Sequence, residues 1–197
     1  MSADTIQRGA DPDALDRAHA RRLLETARRA ITTQLAGDQA EAPEAEASSS
    51  PLAAVRASFV TLRREGTLRG CIGSLEATEP LVESVWRNAR RAAFHDPRFA
   101  PLSQLEFTDL EIHVSVLSPL EPMQIVSEAD LLAQLRPGVD GLLIEEGKQR
   151  ATFLPDVWQS LSDPPSFLNQ LKQKAGLAPD HWSPGLRAWR YRTHVYE

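Results

Sequence analysis

FVTLRREGTLRGCIGSL, residues 59 to 75, is the stretch from which the fold class follows. Phe59, Val60, Thr61 and Leu62 read as a short strand, Arg64-Glu65-Gly66 reads as a turn, and Thr67 to Leu75 returns as the partner strand. A connection that short joins antiparallel neighbours, because a parallel pair needs a crossover of a dozen or more residues. Helical patterns flank the hairpin on both sides. The class is therefore α+β, with a mixed, largely antiparallel sheet and flanking helices.

Toward the N-terminus, Leu15, Ala18, Leu23, Leu24, Ala27, Ala30 and Ile31 recur at helical spacing, which predicts an amphipathic helix over 13–35. Asp11 and Asp13 are placed to cap it, with Pro12 near its first turn. Residues 1–12 read as a disordered tail and 13–197 as one domain. Residues 37–51 (GDQAEAPEAEASSSP) carry no aromatic or β-branched residue and read as an acidic surface loop.

Toward the C-terminus, Thr78-Glu79-Pro80 opens a helix lined by Leu81, Val85, Trp86, Ala89, Ala92 and Ala93, which Pro97 stops. Leu110 to Leu117 alternates as a half-buried strand. Ser127 caps a helix over 128–135, residues 141–145 and 150–154 form a hairpin, and Pro155 occupies the first turn of a helix carrying Trp158. Phe167, Leu168, Leu171 and Ala175 predict a further helix closed by Gly176, and residues 187–196 alternate as a final strand.

Composition narrows the function classes. Of 197 residues, 42% are hydrophobic and 25% charged, as in an ordinary globular chain. The net charge of −5 disfavours nonspecific nucleic-acid binding, and the arginines at 187, 190 and 192 read as a solvated strand face. Cys71 is the single cysteine, so no internal disulfide, thiolate zinc site or iron–sulfur cluster is expected, and the chain reads as cytoplasmic. No apolar run approaches a membrane span, no histidine pair has ligand spacing, and no phosphate-binding or nucleophile-elbow motif occurs; neither metal nor cofactor is expected.

The chemistry-bearing stretch is Arg69-Gly70-Cys71-Ile72-Gly73. Two glycines inside a strand mark a bulge or a close approach of the backbone. In a regular strand Arg69 and Cys71 share a face roughly 6.5–7 Å apart, near enough for the guanidinium to favour a thiolate, and bare glycine backbone leaves room for a ligand. The other reading makes Cys71 a small apolar filler and the glycines a bulge. His95-Asp96-Pro97-Arg98-Phe99 follows the helix; His95 is placed as a base for Cys71 or as a plain C-terminal residue, and Asp96 with Arg98 as a pair that pins the loop.

Five segments, LRGCIGSL at 68–75, AAFHDPRFAPLS at 92–103, LEIHVSVLSPLEPM at 110–123, DGLLIEEGKQRATFLPDVW at 140–158 and FLNQLKQKAGL at 167–177, together resemble the AMMECR domain, also called AmmeMemoRadiSam system protein A. The resemblance implies two tightly associated lobes and a link to a Memo-like protein and a radical-SAM protein. It carries no settled reaction. Residues 69–73 and 96–99 match the family signature, whereas His95 and His113 stand where the pattern does not demand histidine, and the 37–51 loop is an elaboration of this chain.

Two functions follow as expectations. In one, Cys71 is a catalytic nucleophile, with Arg69, Gly70, Ile72, Gly73, Asp96 and Arg98 binding a small-molecule substrate. In the other, the chain is a non-catalytic adaptor or ligand-binding partner. Radical-SAM chemistry cannot reside in it, since three cluster thiolates are needed and one exists.

Overall fold

In the computed structural model, residues 13–38, 40–43 and 48–197 are described. The expected tail at 1–12 lies outside them, and the described part of 37–51 holds no helix or strand. The chain divides into two compact units, Met1–Ser115 with Tyr196–Glu197, and Val116–Val195.

In the first unit, α1 spans Arg17–Leu35. Its cap is Asp16, not Asp11 or Asp13: Asp16 sits in extended conformation and its carboxylate accepts the His19 N–H at 2.8 Å, the geometry that satisfies an orphan donor of the first turn. Asp11 and Pro12 fall outside the described residues. The hairpin forms as expected, β1 over Ser58–Arg64 and β2 over Thr67–Gly73. Its two turn residues, Glu65 and Gly66, both have positive φ (49° and 72°), the twist that matches two antiparallel strands.

Helix α2 (Leu81–Phe94) packs on α1, β1 and β2 through Leu81, Val85, Ala89 and Ala92. It has no side-chain cap. The carbonyls of Ala54 and Leu52 accept the first N–H groups, of Leu81 and Val82, at 2.9 and 3.1 Å. Two polar residues share its buried face: Asn88 donates to the Ser58 carbonyl at 3.1 Å, and the hydroxyls of Ser58 and Ser84 lie 2.8 Å apart. A four-residue helix, α3 (Gln104–Phe107), precedes β3 (Leu110–Leu117), whose alternation is as read from the sequence.

The second unit contains β4 (Glu121–Pro122), α4 (Glu128–Gln134), the hairpin β5 (Gly141–Glu146) and β6 (Gln149–Phe153), a 3-10 turn over Pro155–Gln159, α5 (Pro164–Lys174) and β7 (Arg187–Tyr191). Ser127 caps α4 as expected, accepting the Asp130 N–H at 3.1 Å. Trp158 stacks on Phe167 with centroids 3.8 Å apart, and Phe153 meets Phe167 edge-on at 5.3 Å, amid Leu131, Leu142, Ile144, Leu168 and Leu171.

The strands form two sheets, ordered β2-β1-β3-β8 and β4-β7-β5-β6, where β8 is Thr193–Tyr196. The single strand read over 187–196 is therefore two. The break falls at Arg192, whose backbone N–H goes to Ser118 Oγ and whose carbonyl accepts the Ser118 N–H, each at 2.9 Å. These bonds lie outside either ladder, so the chain changes sheet while its side-chain alternation runs on. The α+β class holds.

Candidate functional site

Strand β2 lies at the edge of its sheet, with Thr61 of β1 directly opposite Cys71. The Cys71 thiol is half-buried and lies 3.2 Å from the Thr61 hydroxyl. An edge strand presents unpaired N–H and C=O groups. At Cys71 both are taken by side chains. Asp96 Oδ2 accepts the Cys71 N–H at 2.8 Å, and Arg98 Nη2 donates to the Cys71 carbonyl at 3.2 Å. The carboxylate and the guanidinium thus stand where a further strand would put its carbonyl and its amide.

The two are locked to each other. Arg98 Nε and Nη2 donate to Oδ1 and Oδ2 of Asp96 at 2.9 and 2.7 Å, a bidentate pair, and the Arg98 N–H donates to Oδ1 at 3.1 Å. Pro97 between them fixes φ and directs both side chains to the same edge. The Asp96 side chain is 2% exposed and that of Arg98 52%. The Arg98 guanidinium first, then the backbone N–H groups of Cys71 and Arg98, hold the Asp96 carboxyl far below the usual carboxylate range despite burial. The same contact raises Arg98.

Arg69 is the extra residue of a bulge: Leu62 faces Gly70 and Arg63 faces Leu68, leaving Arg69 unopposed. Its side chain does not bond the sulfur, as a thiolate-stabilising role would want. Nε and Nη2 donate to the Glu106 carboxylate at 2.8 and 3.2 Å, and Nη2 also to the Ala100 carbonyl at 2.9 Å, while Nη1 is buried without a hydrogen-bond partner. Glu106 is the third residue of α3 and closes a capping box with Ser103. The Arg69 guanidinium, followed by the Ser103 N–H, brings the Glu106 carboxyl down to about 2. Both arginines lie against the Phe99 ring, 5.7 and 5.5 Å from its centroid. Two cations and two carboxylates cancel, so this is not an anion trap.

The glycines do not leave room beside the sulfur. A Cβ on Gly70 would stand 2.2 Å from the Ala92 carbonyl oxygen of α2, and one on Gly73 would stand 2.3 Å from the Phe59 ring and 2.5 Å from the Ser58 carbonyl. The close approach is to the protein's own backbone and ring. Ile72 is half-buried in the same strand. His95 follows α2 as its C-cap, exposed, and no hydrogen bond joins its ring to Cys71 among the described residues.

The structure thus brings Cys71, Asp96 and Arg98 together and takes Arg69 to Glu106. Thr61 and Glu106 are the members that sequence reading missed. The Ser103-x-x-Glu106 spacing is a capping-box signal, and the hairpin register places Thr61 opposite Cys71. Among the described residues no group of three metal-binding side chains occurs, and no helix is long and apolar enough to cross a membrane. Among the C-terminal arginines, Arg187 lies 2.5 Å from Glu145 and Arg190 2.9 Å from Glu121.

Comparison with known proteins gives the chain its relatives. The AMMECR1 family model matches residues 24–196. A protein of Methanothermobacter thermautotrophicus is 41% identical over 143 residues, covering 72% of this chain and 74% of its own length. One from Methanopyrus kandleri is 33% identical over 184 residues, covering 89% and 86%. The crystal structure of an uncharacterised protein of Pyrococcus horikoshii superposes with a TM-score of 0.75 at 33% identity, over 89% of each chain. The chain belongs to the AMMECR1 family.

Proposed function

We propose that this chain is a binding component that acts in the cytoplasm with a Memo-like protein and a radical-SAM protein. The edge formed by Arg69, Gly70, Cys71, Ile72 and Gly73, with Asp96 and Arg98, is the surface it presents to a substrate or to those partners, and the bond-making chemistry lies in them. The observation that carries this reading is the clamp on Cys71. Asp96 and Arg98 fix its main chain from outside, while among the described residues its sulfur hydrogen-bonds the Thr61 hydroxyl and no base. A neutral hydroxyl does not deprotonate a thiol.

A thiol-dependent reaction is the second reading, favoured by the half-buried and hence reachable Cys71. Co-purification of the chain with the Memo-like and radical-SAM components separates the two. Under the binding reading Cys71→Ser is captured as well as the parent, whereas Arg98→Glu, which turns a clamp partner into a repelled charge, is not. Alkylation of native Cys71 is then slower than that of the urea-unfolded chain. Alkylation faster in the native chain, with no capture of either partner, would install the thiol reading instead.

A further inference from the structure

A groove of about 600 Å³ lies elsewhere in the first unit, between one face of α1 and strand β3. Its volume is that of a small-molecule pocket. Arg21, Leu24, Glu25 and Arg28 recur at helical spacing along the α1 wall. Leu110, Glu111, Ile112 and His113 of β3, with Glu197, form the other.

The charges of the two walls differ. On β3, the His113 ring lies between two carboxylates, Nδ1 at 3.0 Å from Glu197 and Nε2 at 3.8 Å from Glu111. On α1, Arg28 Nη2 donates to the Leu110 carbonyl at 3.5 Å and its guanidinium lies 5.5 Å from the Phe107 centroid. The side chains of Arg21 and Glu25 make no hydrogen bond or ion pair among the described residues, although they stand four apart on the helix. Leu24, half-buried, supplies apolar surface between the charged groups, and Leu110 and Ile112, 5% and 7% exposed, reach the groove only by their edges.

With two arginines and three glutamates the lining side chains carry a formal charge of −1 when His113 is neutral. That repels a simple anion, while Arg21 opposes a simple cation. A molecule with separated opposite charges and an apolar body answers both walls.

We infer that this groove binds a small zwitterion of the amino-acid or dipeptide class, its carboxylate at Arg21, its ammonium at Glu111 and Glu197, and its side chains chiefly against Leu24. The site is independent of the Cys71 edge and uses none of its residues.

Titration of the 15N-labelled full chain with leucyl-leucine tests it. Saturable shift changes are expected at residues 21–28 and 110–113. N-acetyl-leucyl-leucine amide, which lacks both charges, should bind about tenfold more weakly, or roughly 1.4 kcal/mol. Arg21→Gln and Glu111→Gln should each weaken leucyl-leucine about fivefold, the size of a part-exposed ion pair, with the remaining spectrum unchanged. Absence of saturable shifts up to about 10 mM, tenfold above a millimolar Kd, would overturn the inference. So would equal binding of the blocked dipeptide, or shifts confined to other residues.

Discussion

Asp96 does four things with one carboxylate: it accepts from the Cys71 N–H, from the Arg98 N–H and from two nitrogens of the Arg98 side chain. Asp96→Asn keeps the shape, but its amide donates where the carboxylate accepted, so one arm of the guanidinium pair becomes a donor facing a donor. Because Arg98 stays half in water, the cost is that of charged hydrogen bonds and not of a stranded buried cation, about 2 kcal/mol in urea unfolding. Gly70→Ala acts through sterics alone. Its Cβ would meet a helix carbonyl at 2.2 Å, backbone that cannot swing aside, and a loss of about 3 kcal/mol is expected. The equivalent change at Gly66, on a turn where nothing lies within 4 Å, meets only the cost of positive φ and should lose about 1 kcal/mol. Comparable losses at both positions would show that the approach of β2 to α2 is looser than the structure has it.

At the scale of elements, α4 and α5 are tied through a buried charge. The Lys172 ammonium, with a side chain 0% exposed, donates to Glu128 at 2.6 Å and to the Pro179 carbonyl at 3.1 Å. Glu128→Ala leaves that ammonium buried with one carbonyl, and about 3 kcal/mol of stability is expected to go. Lys172→Met, which removes the charge and keeps the volume, should cost less, and chemical denaturation of the two variants gives the order. Lys172 shows where elements were legible and where they were not. Its place on the face of Phe167, Leu168 and Leu171 follows from helical spacing, but spacing does not say that a lysine there finds a carboxylate from another helix. The 59–75 hairpin was readable because its turn, its strands and its register are local. The 187–196 segment was misread for the same reason: alternation survives a change of sheet, and the bonds that break the strand come from Ser118, seventy-four residues away. The candidate site divides in the same manner. Arg69 to Gly73 and Asp96 to Phe99 announce themselves by composition, whereas the diversion of Arg69 to Glu106 depends on a bulge set by pairing with β1.

For the molecule as a whole, each unit carries a group whose titration couples to folding, at opposite ends of the pH scale. In the first, Glu106 has its carboxyl lowered from 4.5 to about 2, chiefly by Arg69. Its contribution is present above pH 4.5 and is lost as pH falls toward 2; it is on the order of 1 kcal/mol once solvent screening at a part-exposed pair is counted. In the second, Tyr191 is buried, its hydroxyl 2.8 Å from Thr152 Oγ1 and donating to the Phe153 carbonyl at 3.1 Å. Burial pushes it up from 10 to about 12. A raised value favours the protonated form in the fold, so its contribution is complete below pH 10 and is lost as pH climbs toward 12, by about 2 kcal/mol. Tyr191→Phe removes that titration. It should be less stable than the parent near neutrality, because the hydrogen bonds are gone, yet lose less between pH 10 and 12. Glu106→Gln should make the acid limb shallower, with Asp96 still contributing to it, and leave the alkaline limb alone. Tryptophan fluorescence reads the two units apart, since Trp86 belongs to the first and Trp158, Trp182 and Trp189 to the second. In a Trp86→Phe background the emission follows the second unit, and its urea midpoint should respond to Tyr191→Phe above pH 10. An alkaline limb unchanged by Tyr191→Phe would mean that this phenol ionises in the folded chain without opposing it.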